Sequence, residues 1–305
     1  VIPPEFIKGE RDAMEKAVFD ARYDEYLQAI EAYLAGLFRE KTHYSDLYEA
    51  MRYSLLSGGK RIRPVITLEF ARLSGLEWKR ALPVACGLEL VHTYSLIHDD
   101  LPCMDDAALR RGKPSNHKVY GETMAVLAGD ALQPEAFRLI LSAGGIPAER
   151  RAECALILAE AAGADGMVAG QVLDTLHEPK TSAELTEVHR LKTGAMICAA
   201  AKLGCAASGA SPKLRQAAEN YAGQLGLAFQ IRDDMLDVIG DESTFGKPIG
   251  ADRQDGKITF ADALGLEGCA NAVSVCTERA KNAVRDISGS EFLCHLSDLL
   301  AQRDK

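Results

Sequence analysis

Apolar residues recur along this chain at the three-and-four spacing of helices and almost nowhere at the every-second spacing of strands. Segments rich in alanine, leucine and glutamate reinforce that period. The spacing predicts helices near 10–38, 46–57, 62–75, 79–101, 121–142, 148–162, 165–177, 182–207, 212–239, 257–266, 268–287 and 290–302. No long Val/Ile/Thr alternation appears, and aromatics make up only 6% of the chain, so strands are not expected to carry the fold.

Local punctuation agrees with these limits. Gly58-Gly59 stops one helix, and Pro64 fits the first turn of the next. Thr181-Ser182-Ala183-Glu184 and Ser211-Pro212 have the form of helix starts. No Gly/Ser- or Pro-rich linker of domain-boundary size occurs, and no repeat of solenoid period is found. The expectation is one all-α domain over residues 1–305.

Composition narrows the function. With 305 residues, 47% of them hydrophobic, the chain can bury a large core. A net charge of −9 argues against a general grip on nucleic acid, which needs a basic face. The eight cysteines form no CxxC pair, and several sit among alanines and leucines, as in Met196-Ile197-Cys198-Ala199. They read as small buried hydrophobes in a reducing compartment, not as zinc ligands or a disulfide framework. No apolar stretch approaches the roughly 18 residues of a membrane span, and no signal peptide is visible at the start. A soluble, cytoplasmic protein without stable membrane insertion is expected.

Two acidic clusters change the picture: Asp99-Asp100-Leu101-Pro102-Cys103-Met104-Asp105-Asp106 and Asp233-Asp234-Met235-Leu236-Asp237. Each lies near the C-terminal end of a long apolar helix, where the helix dipole repels anions. Asp233 and Asp237 stand at i and i+4 and share a helix face. Asp99 and Asp105 are six apart, which puts them on different faces of an ideal helix. Pro102 removes a helical hydrogen bond, so residues 101–104 are expected to leave the helix and swing Asp105 back toward Asp99. Crowded carboxylates suit a hard divalent cation such as Mg2+, whose remaining ligands are water and substrate phosphate.

Cations alternate with these clusters: Gly58-Gly59-Lys60-Arg61-Ile62-Arg63-Pro64, Arg110-Arg111-Gly112-Lys113-Pro114, Lys192-Thr193-Gly194 and Gly246-Lys247-Pro248. Arginine forks and lysine point charges both suit diphosphate. His92, two helical turns before Asp99, is a candidate hydrogen-bond donor to such an anion, with core packing as the alternative. Glu89-x-x-His92 is half of a di-iron motif, but the second half is absent.

In these motifs the sequence resembles the trans-isoprenyl diphosphate synthases, from about residue 46 to 260. Leu96-Ile97-His98-Asp99 through Asp106 is similar to the first aspartate-rich motif of the bacterial farnesyl and plant geranylgeranyl branches, which carry a two-residue insertion there. Gly58 to Pro64, Gly166 to Asp174, Lys192-Thr193-Gly194 and Phe229 through Asp237 are similar to the other family signatures. The resemblance implies an isoprenoid synthase fold, an antiparallel helical bundle around a central active-site cavity, usually a homodimer. It implies three Mg2+ ions per active site, two at Asp99 and Asp105 and one at Asp233. Asp100, Asp174 and Asp237 would be outer ligands or supports. Arg110, Lys192, Thr193, Gln230 and Lys247, with Lys257 assisting, would grip the allylic diphosphate. Lys60, Arg63, His92 and Arg111 would bind isopentenyl diphosphate. Asp106-Ala107-Ala108-Leu109 departs from the family, whose members commonly carry more acid there.

The implied reaction is ionisation of an allylic diphosphate (dimethylallyl or geranyl) and its alkylation by isopentenyl diphosphate. The Lys192 carbonyl and the Thr193 and Gln230 oxygens would ease the cation, and no protein nucleophile is needed. Tyr94 lies about 7.5 Å before Asp99 along a helix. Beside Ser95 it resembles the bacterial farnesyl pattern, in which an aromatic floor stops growth at fifteen carbons. The expected product is therefore farnesyl diphosphate, with geranylgeranyl diphosphate as the alternative. A non-catalytic subunit would have lost an acidic motif or the lysines, and a terpene cyclase would lack Lys60, Arg63 and His92.

Overall fold

The computed structural model describes residues 4–177, 179–239 and 259–303. In chain order its helices are α1 (Pro4–Gly36), α2 (Ser45–Leu55), α3 (Ile62–Leu73), α4 (Leu82–Asp99), α5 (Asn116–Tyr120), α6 (Glu122–Leu141), α7 (Ala148–Ala162), α8 (Met167–Val172), α9 (Ser182–His189), α10 (Ala195–Ser208), α11 (Pro212–Ile239), α12 (Phe260–Val284) and α13 (Glu291–Ala301). A two-stranded hairpin, β1 (Leu109–Arg110) and β2 (Lys113–Pro114), lies between α4 and α5.

Helix α10 is the centre of the bundle because, apart from Lys202 and the closing Ser208, its sequence is apolar. Met196, Ile197, Ala199 to Ala201 and Leu203 to Ala207 are all buried. It packs against α3, α7, α11 and α4. Close approach to α3 depends on Gly204, where a Cβ would lie 2.4 Å from the Thr67 carbonyl oxygen. Thr67 Oγ1 reinforces the seam by donating to the Ala200 carbonyl at 2.9 Å. A smaller apolar cluster, Leu185, Ile231, Met235, Phe260, Cys269 and Val273, joins α9, α11 and α12.

The helix starts follow the sequence signals. Thr181 and Glu184 form a reciprocal capping box at α9, and Ser211 Oγ accepts from the Leu214 N–H beside Pro212. The break expected between 266 and 268 falls at Gly265, whose φ of 67° lies inside α12.

Several features differ from the sequence reading. The segment 79–101 opens with a 3-10 turn at Trp78–Ala81 and stops at Asp99. The hairpin and α5 were not expected; both are too short to show a period. The segments 165–177 and 182–207 are not uniform helices, since π turns occupy Leu173–His177 and Arg190–Gly194. One stretch, Ala148–His177, does match a membrane span in length and hydropathy. It is broken between Ala162 and Met167 into α7 and α8. All eight cysteines are free thiols, and Cys103 is the exposed one.

Candidate active site

Helix α4 unwinds where Pro102 interrupts it. The Leu101 N–H donates to the His98 carbonyl, and the Met104 and Asp106 N–H groups turn back onto the Leu101 carbonyl at 2.9 and 3.1 Å. The Asp105 N–H reaches the Asp99 carbonyl at 2.9 Å, so the chain folds Asp105 back beside Asp99. Burial pushes the Asp99 carboxyl up to about 6; Asp105 and Asp100 add to the rise, while Lys192 and Arg110 oppose it.

The hairpin carries Arg110 and Arg111 into this region. Arg111 (φ 54°) and Gly112 (φ 73°) both have positive φ, as a two-residue type I′ turn requires. Arg110 donates from Nε and Nη2 to Asp100 Oδ1 at 2.9 and 2.5 Å, and Asp100 is buried. Arg111 lies over Gly58-Gly59 and donates to the Gly58 carbonyl. A Cβ on Gly59 would stand 2.9 Å from the Arg111 guanidinium carbon. Tyr53 Oη donates to the Pro114 carbonyl, and Asn116 Nδ2 to the Ala50 carbonyl, which fixes the hairpin base to α2.

Beside the hairpin is a nest of cations. Lys60 is exposed, and its carbonyl accepts the Tyr23 hydroxyl at 2.7 Å. Arg63 is half-buried, and its Nε is buried without a hydrogen-bond partner. Burial holds the Arg63 guanidinium below its ordinary range; Arg111 adds to this, and Glu89 and Asp233 oppose it. Burial holds His92 well below its usual range too, helped by Arg63, Arg111, Arg61 and Arg110, so its ring is neutral. A buried guanidinium N–H without a partner, set among crowded cations, suits an anion subsite.

The two π turns face each other. Lys192 Nζ, on one, donates to Asp174 Oδ2, on the other, at 2.7 Å. Gly170 permits this, because a Cβ there would fall 2.2 Å from the Lys192 backbone nitrogen. Thr193 is half-buried beside Lys192. Gln230 hydrogen-bonds His189, whose ring stacks on Phe260 with centroids 5.2 Å apart. Burial pushes His189 down to about 4.

On α11, Asp233 is half-buried, whereas Asp234 and Asp237 are buried. Asp234 Oδ2 accepts the Phe260 N–H at 2.6 Å and so anchors the start of α12. Asp233 accepts from Arg303, whose guanidinium lies 3.7 Å over the Phe229 ring. Lys192 and Arg110 act on Asp99 of the first cluster, and Asp233 of the second acts on Arg63.

The structure thus brings together Asp99, Asp100, Asp105, Asp174, Lys192, Arg110, Asp233, Arg63, His92 and Arg111. Tyr94 is buried on α4, with its ring edge-on to His98 at 5.7 Å. Ser95 Oγ donates to the His92 carbonyl. Lys247 and Lys257 lie outside the described residues. His189 and Arg303 were missed as site neighbours; the His-Arg-Leu-Lys-Thr run could have pointed to His189. Arg61, read among the anion-binding cations, instead pairs with Glu31 and Glu89. A groove of about 590 Å3 between α7, α9, α10 and α11 includes none of the six aspartates expected at the metal site.

Among the described residues, no three His, Cys, Asp or Glu side chains converge on one point. That rules against a ready-made cage, but magnesium uses one or two carboxylates and completes its shell with phosphate and water. A crowded carboxylate with a raised pKa, open on the Asp105 side, fits such an ion.

The polyprenyl synthetase family profile matches residues 44–289. The farnesyl diphosphate synthase of Geobacillus stearothermophilus is 44% identical, over 92% of this chain and 96% of its own. Geranylgeranyl pyrophosphate synthase 3 of Arabidopsis thaliana is 47% identical, over 72% of this chain and 63% of its own. Among solved structures, the geranyltransferase of Legionella pneumophila superposes with a TM-score of 0.84 at 34% identity, covering 95% of this chain and 98% of that one. The geranylgeranyl pyrophosphate synthetase of Pyrococcus horikoshii gives 0.85 at 31% identity, covering 94% and 99%.

Proposed function

The chain belongs to the polyprenyl synthetase family, and on that premise we propose that its cation nest and paired aspartates condense isopentenyl diphosphate with dimethylallyl or geranyl diphosphate to make farnesyl diphosphate. The chain is a short-chain prenyltransferase. The observation that carries the residue-level reading is the return of Asp105 to Asp99 opposite Lys192 and Arg110.

Asp99, Asp105 and Asp233 would hold Mg2+, three ions in all, which when bound neutralise charge on the allylic diphosphate. Asp100 and Asp174 orient Arg110 and Lys192, which grip that diphosphate. Lys247 and Lys257 are proposed for the same substrate, and Asp237 as a support for Asp233. Neutral His92, with Lys60, Arg63 and Arg111, holds isopentenyl diphosphate so that its double bond faces the ionising carbon. Gln230, aimed by His189, and the Thr193 hydroxyl and Lys192 carbonyl present oxygens to the allylic cation. The departed diphosphate takes the proton released when the new double bond forms. Tyr94 closes the floor.

We further propose a single domain, a cytoplasmic location supported by the free thiols, and a homodimer supported by exposed Val119, Leu127, Leu141 and Leu156 on α5 to α7. The test is incubation with labelled isopentenyl diphosphate, each allylic primer and magnesium, followed by product chromatography. A fifteen-carbon product that disappears with chelator is expected. A twenty-carbon product overturns the chain-length assignment, and no elongation overturns the function.

A further inference from the structure

Between Lys60 and Arg63, two proposed ligands of isopentenyl diphosphate, stands a residue that faces away from the site. Arg61 adopts φ 48°, a left-handed conformation that is costly for a residue with a Cβ. Its carbonyl accepts the Val65 N–H, so this backbone position sets where α3 begins.

Its guanidinium is buried, and each of its three nitrogens donates. Nε donates to Glu31 Oε1 on α1, Nη1 to Glu89 Oε1 on α4, and Nη2 to the Leu55 carbonyl at the end of α2, each at 2.7 Å. One side chain therefore joins three helices to the turn that presents Lys60 and Arg63. Glu89 is 2% exposed and one helical turn before His92. Its charge is also the main attraction that Arg63 and Arg111 feel. Beneath a nest of cations that would repel one another, Glu89 is the buried anion.

We propose that Arg61 and Glu89 are positioning residues for the isopentenyl diphosphate subsite: Arg61 locks the left-handed turn that aims Lys60 and Arg63, and Glu89 holds the arginines together until the diphosphate replaces it as their counter-charge. Neither touches substrate. The inference rests on the function proposed above.

The test pairs steady-state kinetics with calorimetric binding of isopentenyl diphosphate alone and of magnesium pyrophosphate alone. Glu89→Gln keeps the shape and one acceptor but removes the charge. It should raise the KM and Kd for isopentenyl diphosphate about tenfold and leave the allylic KM and pyrophosphate binding within twofold. Arg61→Gly should retain more affinity than Arg61→Ala, because glycine tolerates the left-handed backbone. Equal changes for both substrates, or none for isopentenyl diphosphate, overturn the proposal. If Glu89→Gln loses its helical circular dichroism, Glu31→Gln serves instead. Its side chain is 41% exposed, and a two- to threefold rise in the isopentenyl diphosphate KM is expected; no rise overturns the proposal. A wild-type enzyme that fails to condense the two substrates sinks the function itself. One that condenses them while the variants leave this KM unmoved sinks only the inference.

Discussion

Asp99 sits where an ionised carboxylate is least welcome, half-buried at the negative end of a helix and beside two other aspartates. Its folded-state pKa of about 6 lies above the ordinary 3.8, so the folded chain holds a proton that the unfolded chain has released between those values. Stability therefore falls as pH rises through that window, and the cost persists above it. His189 and His92, held below their usual range, act in the opposite direction, so the Asp99 share is read as the difference between the metal-free wild type and Asp99→Asn. Asp99→Asn should melt about 2–4 °C above the wild type at pH 7, with a smaller gap at pH 5. The same change should cut condensation on the order of 100-fold or more. Scanning fluorimetry in chelator, beside a product assay, checks both. Tyr94→Ala opens the floor one turn before His98, and chromatography should show the product lengthening from fifteen to twenty carbons. Asp99 and Asp105 were legible because spacing and Pro102 are local signals. The contacts of Asp233 with Arg303 and of Gln230 with His189 cross the chain and leave no local trace.

At the level of elements, the helices were readable because each buries a periodic face, and their starts because caps are chemical. The π turns were not. Each adds one residue to a turn without disturbing the apolar pattern on either side, so 182–207 reads as one helix. Yet the π turns are what set Lys192 against Asp174. Gly170→Ala would drive a methyl group into the Lys192 backbone, which cannot rotate away as a side chain could. The expected result is a loss of about 1–3 kcal/mol in stability and a drop of about 100-fold in kcat. Gly223→Ala, where nothing lies within 4 Å, should instead stabilise α11 by about 0.5–1 kcal/mol. Urea titrations and turnover of the two variants separate misplacement of the lysine from loss of fold.

For the whole molecule, the all-α architecture followed from period alone, and the central place of α10 follows from a segment whose one charged residue is Lys202. Which helices flank it does not, because neighbours in a bundle are chosen by side-chain fit. Proposed pairing through α5 to α7 predicts elution at twice the 32.9 kDa of the chain. Leu127→Lys, at a residue 49% exposed in the single chain, should shift elution to one copy in size-exclusion chromatography. The turn that returns Asp105 to Asp99 also holds the exposed thiol of Cys103, while the other seven cysteines are buried or half-buried. The protein thus carries its own attachment point for a maleimide dye, inside the loop that the first metal would tighten. Labelling slowed by magnesium and pyrophosphate together would give an optical readout of loading with no engineered residue.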